Sequence, residues 1–166
     1  MKKRRIYSIG LSILLCASAI LTTAPAHADE RPVPKNKLPQ QARNFLTKHY
    51  SGEQITSATM DKDLFDATYD VSLNDGTKVE FTNKGEWTEI CSPRNGFVPV
   101  SAVPDRIAAY VRQHYPTAKI RKIEREYRNY EVELNNGVEM IFNKNFDLIR
   151  TNDYYQHKPN TRFEWQ

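Results

Sequence analysis

The sequence predicts an α+β fold: two tandem repeats, each a helix followed by a four-stranded antiparallel sheet, with the helices packed on one face of a shared or adjoining sheet. Three observations carry this expectation. Leu38 to Ile55 (LPQQARNFLTKHYSGEQI) aligns without a gap on Val103 to Ile120 (VPDRIAAYVRQHYPTAKI), matching Pro39 with Pro104, Phe45 with Tyr110, His49 with His114 and Tyr50 with Tyr115. Tyr69 to Gly76 (YDVSLNDG) then lies on Tyr130 to Gly137 (YEVELNNG), and Phe81 on Phe142. Within each copy the apolar spacing shifts from three and four residues to two, the change from helix to strand. A fixed-period self-match of this kind governs the domain reading. Repeat 1 spans residues 38–92 and repeat 2 spans 103–151. A linker over 93–102 contains Pro93, Gly96 and Pro99, and a tail runs over 152–166.

Each copy opens on proline, whose missing N–H suits the first turn of a helix. Ala42, Phe45, Leu46 and Tyr50 form one apolar stripe, as do Ile107, Tyr110, Val111 and His114, so each helix buries one side. Strands follow: Tyr69, Val71 and Leu73 alternate with Asp70 and Ser72, and Val79 and Phe81 alternate with Lys78 and Glu80. The turn fixes their register. A two-residue loop would set Leu73 against Lys78 and mix apolar with polar side chains. A three-residue loop of Asn74, Asp75 and Gly76 pairs Val71 with Val79 and Tyr69 with Phe81 instead. The same loop at Asn135 to Gly137 pairs Val132 with Met140 and Tyr130 with Phe142. Shorter strands flank these hairpins at 55–60, 87–91, 120–125 and 148–151. A unit of this size is marginal alone, which favours a shared sheet or a packed interface.

Ahead of this region stands the grammar of an export signal. Lys2, Lys3, Arg4 and Arg5 precede the apolar run Ile9 to Leu21, and Ala26-His27-Ala28 offers a cleavage site, so residues 1–28 read as a signal peptide and 29–37 as an N-terminal extension. The formal charge of +4 comes from 24 basic and 20 acidic residues, and the four basic residues of the signal supply the whole excess. The processed chain is neutral, which removes the clustered positive charge that nucleic-acid binding needs. No later apolar run reaches bilayer length. The expected destination is the periplasm or the medium. Cys91 stands alone in the processed chain, so it reads as an unpaired thiol on a strand.

The phrases Val103-Pro104, His114-Tyr115-Pro116, Tyr130 to Gly137 and Phe81-Thr-Asn-Lys-Gly-Glu-Trp87 resemble the PepSY-like family of exported bacterial proteins, over about residues 38 to 151. That family is similar in fold to the β-lactamase inhibitory protein, whose two helix-plus-sheet repeats form a concave sheet that grips an enzyme. The resemblance implies a binding role, inhibition of a hydrolase or envelope protein among the possibilities. It also implies a contact role for Asp75, which matches by topology an acidic hairpin residue of the inhibitor.

Chemistry is sparse. There is no Gly-rich phosphate loop, no Gly-x-Ser-x-Gly elbow, no His-Glu-x-x-His and no paired-cysteine motif. No catalytic residue, metal ligand or cofactor is expected. His49 and His114 recur at equivalent helix ends and read as structural. His157 lies in the tail. Asp61, Asp63 and Asp66 lack the glycine and the bidentate glutamate of a calcium loop. The outward sheet face remains, with Glu131, Glu133, Glu139 and Ile141 beside Lys78 and Glu80. Glu133 falls opposite Glu139, a like-charge pair that destabilises a ladder. A basic partner or a cation would relieve it. The expected function is an exported, non-enzymatic module that engages another envelope or secreted protein through this face. The alternative is a carrier of a small ligand or cation.

Overall fold

The computed structural model describes residues 31–62 and 67–152. The export signal, Asp63 and Asp66 of the acidic run, His157 and the aromatic tail from residue 153 onward lie outside them. The chain forms one nine-stranded antiparallel sheet in sequential order, with two short helices on one face. The strands are β1 (Arg31–Pro32), β2 (Ile55–Lys62), β3 (Ala67–Leu73), β4 (Lys78–Thr82), β5 (Trp87–Cys91), β6 (Ile120–Arg125), β7 (Asn129–Leu134), β8 (Glu139–Asn143) and β9 (Leu148–Thr151). The helices are α1 (Gln40–His49) and α2 (Asp105–His114).

This corrects the expected fold class. The molecule is mostly β, a single sheet rather than two helix-plus-four-strand repeats. The physical reason is the β5–β6 ladder, where Glu89 pairs with Glu124, Ile90 with Ile123 and Cys91 with Lys122. Two four-stranded units would each leave a strand edge unpaired at this point, and the ladder removes both. β1 adds a further strand from residues expected to be an extension, through Arg31 opposite Met60.

Local expectations fare better. Both hairpins have the predicted registers, Val71 with Val79 and Val132 with Met140. Gly76 and Gly137 take φ of 89° and 84°, the left-handed position that closes each loop. Pro39 and Pro104 stand as caps one residue before the helices rather than inside them. Ala42, Leu46, Ile107 and Val111 face the sheet and are buried. They meet Val71, Phe81, Ile90, Ile123, Val132 and Phe142 in one continuous core. Burial of side chains of this size contributes about 1.5–3 kcal/mol each. Val98, Ala102 and Val103 join it, so the segment between the halves is packed, and Val98 N–H donates to the Ile120 carbonyl at 2.9 Å. Cys91 is buried at the end of β5, as expected for a cysteine on a strand.

Candidate functional site

Antiparallel pleating puts alternate residues of each strand on the face opposite the helices. Continuous register then lines them up across the sheet. Asp70 lies opposite Glu80, Glu80 opposite Glu89, Glu89 opposite Glu124, and Glu124 opposite Glu131. Five carboxylates thus stand side by side on β3 to β7, and the row continues through Ile141 to Arg150. Like charges directly opposite one another weaken a ladder, so a row of them needs a compensating cause.

Part of the compensation is local. Lys122, one step along β6, reaches back to Glu89 at 3.0 Å and Glu124 at 3.1 Å, with its side chain 14% exposed. Burial pulls the Lys122 ammonium towards neutrality, but the two carboxylates outweigh it and leave its pKa raised. Thr88 Oγ1 donates to Glu80 at 2.8 Å, and Asn129 to Glu131 at 3.3 Å. Burial still pushes the Glu80 carboxyl above its ordinary range, against the Thr88 bond and with help from the charges of Asp70, Glu89 and Glu124. The row is a line of rungs one strand apart, suited to an extended array of cations.

The residues expected from sequence divide over this face. Glu80 and Glu131 are rungs, and Ile141 continues their row. Lys78, Glu133 and Glu139 lie in the neighbouring row. Glu133 does oppose Glu139, but Arg121 pairs with Glu133 and Asn152 donates to Glu139 at 2.9 Å, which relieves the predicted repulsion. Asp75 is elsewhere: its carboxylate closes its own turn, accepting from the Thr77 N–H and hydroxyl at 2.8 Å each. Sequence reasoning missed Glu89, Glu124 and Lys122. Their parity was readable, but the β5–β6 pairing that brings them together was not.

Residues 67–150 match the family described as "Putative beta-lactamase-inhibitor-like, PepSY-like". The chain belongs to this PepSY-like family. Solved structures agree. A "putative periplasmic protein from DUF2874 family" of Bacteroides vulgatus is 42% identical with a TM-score of 0.72, over 76% of this chain and 99% of that one. A "putative calcium-regulated periplasmic protein" of Bacteroides thetaiotaomicron is 38% identical with a TM-score of 0.71, over 75% and 98%. A second Bacteroides vulgatus protein, described as periplasmic and of unknown function, is 37% identical with a TM-score of 0.69, over 75% and 99%. No curated protein matches. Among the described residues of this PepSY-like chain, no helix is long and apolar enough to cross a membrane.

Proposed function

We propose that this PepSY-like protein is an exported, non-enzymatic binding module that holds a basic surface of another envelope or secreted protein against the carboxylate row. The signal grammar of residues 1–28 and the periplasmic descriptions of its relatives support the export part of this reading. The observation that carries the reading is the in-register run from Asp70 to Glu131, because side-by-side negative charge on one sheet face is complementary to a basic surface. Complementary charge sets encounter rate and partner choice more than raw affinity.

The test compares the processed wild type with an Asp70→Lys/Glu131→Lys variant, both exposed end rungs, in capture from envelope extract. Wild type retains a specific protein that elutes as salt rises, and the variant loses it while melting normally. Reversing the captured protein's basic patch then restores binding to the variant. Equal capture by both forms overturns the reading.

A cation is the second reading, favoured by the "calcium-regulated" description of one relative. It predicts a calcium-dependent rise in melting temperature that the Asp70→Lys/Glu131→Lys variant lacks.

A further inference from the structure

The helix-covered face holds a groove of about 380 Å³ between α1, the short 3-10 turn Val100–Ala102 and a floor from β5 to β7. Three rings line it. Phe45 and Trp87 lie 6.5 Å apart, and Trp87 and Tyr130 lie 6.4 Å apart. The Arg125 guanidinium sits 5.5 Å from the Trp87 ring centre. It is held by one carboxylate, Glu86, at 2.9 Å, which is itself 47% exposed. His49 Nδ1 and Ser101 Oγ share a hydrogen bond of 2.9 Å on the opposite wall. Beside the groove, Lys144 covers the Tyr130 ring at 4.8 Å, and burial, with the Arg125 charge second, holds the Lys144 ammonium below its ordinary range against the pull of Glu126. Two cations therefore crowd one aromatic floor, and the counterion nearest Arg125 is a solvent-exposed side chain.

A volume of this size falls at the lower end of small-ligand sites, which join apolar walls to a few fixed polar groups. Guanidinium binds a carboxylate through two parallel N–H bonds and rests on aromatic faces. We propose that this groove is a second binding site, which takes a small anion with a flat aromatic body. The ligand carboxylate replaces Glu86 on Arg125, and its ring lies against Trp87 and Tyr130. The site is on the opposite face from the carboxylate row and stands or falls separately from it.

The experiment is calorimetric titration of the exported, processed protein with indole-3-acetate and with its neutral amide. The acetate binds, and the amide binds at least about tenfold more weakly, the loss expected for one charge-assisted contact. Arg125→Gln abolishes that preference. Glu86→Gln tightens acetate binding several-fold, because the competing carboxylate is gone; a purely structural Arg125–Glu86 pair gives no such gain. Glu86→Gln also keeps the test open if Arg125→Gln unfolds. Equal affinity for acetate and amide, no tightening in Glu86→Gln, or no heat up to roughly millimolar acetate each overturns the proposal.

Discussion

The half of the sheet under α1 and the half under α2 are built from matching turns that do different work. The β4–β5 turn closes with Gly85 N–H on the Thr82 carbonyl and Thr82 N–H on that of Glu86; the β8–β9 turn repeats this with Phe146, Asn143 and Asp147. Both turns need a left-handed residue, Gly85 at φ 81° and Phe146 at φ 63°. Under α1 the turn presses on the helix start, and a Cβ at Gly85 would stand 2.7 Å from Ala42 N and 2.8 Å from Pro39 Cβ. Under α2 a full phenyl ring fits instead and packs on Tyr130 at 5.2 Å. The acidic member follows suit: Asp147 pairs with Arg106 of the overlying helix at 2.9 Å, whereas Glu86 crosses to Arg125 of the other half. One seam is closed by its own helix, and the other is left as a groove. The reverse face shows a related asymmetry: Asp70, Glu80 and Glu89 of the first half stand where the second half has Glu131, Ile141 and Arg150. Similar backbone geometry therefore serves packing in one half and leaves polar groups accessible in the other.

The largest effect that would break this comparison is at Gly85. Gly85→Ala adds a Cβ inside contact distance of backbone at a strained φ, and it is expected to cost about 2–4 kcal/mol. Urea unfolding measures it. A loss below about 1 kcal/mol would mean that the α1 seam yields as readily as the α2 seam. Next comes Lys122, at the join of the halves. Lys122→Ala strands Glu89 and Glu124 opposite one another, at an expected cost of about 1–3 kcal/mol, the range for removing the partner of a polar group shielded from water. Lys122→Ala combined with Glu124→Gln recovers part of that loss if repulsion is the cause.

These residues also mark what the sequence makes legible. Hairpin registers were readable because turn chemistry and period-two alternation act over a dozen residues, as Val71–Val79 and Val132–Met140 show. Whether the two repeats share one sheet or adjoin stays open in the sequence, because the β5–β6 pairing joins strands on either side of a packed connection and leaves no local mark. The candidate site followed that limit. Glu80 and Glu131 were reachable from their own hairpins, but the row through Glu89 and Glu124 exists only through Glu89–Glu124 pairing. Repulsion between Glu133 and Glu139 was inferred from a correct register, yet Arg121, a strand away, neutralises it.

A smaller effect sharpens the comparison on the carboxylate face. Glu80 has a raised pKa in the folded chain, so the fold binds its proton more tightly than the unfolded chain does. Its contribution to stability is present below the ordinary glutamate range and is lost as pH rises through the raised value. Glu80→Gln should therefore flatten the fall in stability above that range and stabilise the protein at neutral pH. Thermal melts from about pH 4, the ordinary glutamate range, up to about pH 8 measure both. An unchanged pH profile would show that Thr88 satisfies Glu80 completely and that the rungs do not interact.

The smallest effect is expected at Phe146, and it tests the matching of the turns most directly. Phe146→Gly removes a ring contact with Tyr130 worth about 0.5–1.5 kcal/mol and adds the chain entropy of glycine, roughly 0.5–1 kcal/mol. It also relieves a left-handed residue that costs about 1–2 kcal/mol. These terms oppose one another, so the net change should stay within about 1 kcal/mol by urea unfolding. The two turns would then differ in opposite senses: glycine is required where the turn meets α1 and is merely permitted where it meets α2. A Phe146→Gly loss as large as that of Gly85→Ala would instead make the phenyl ring the main closure of the α2 seam, and the groove beside Tyr130 would be expected to widen towards β9.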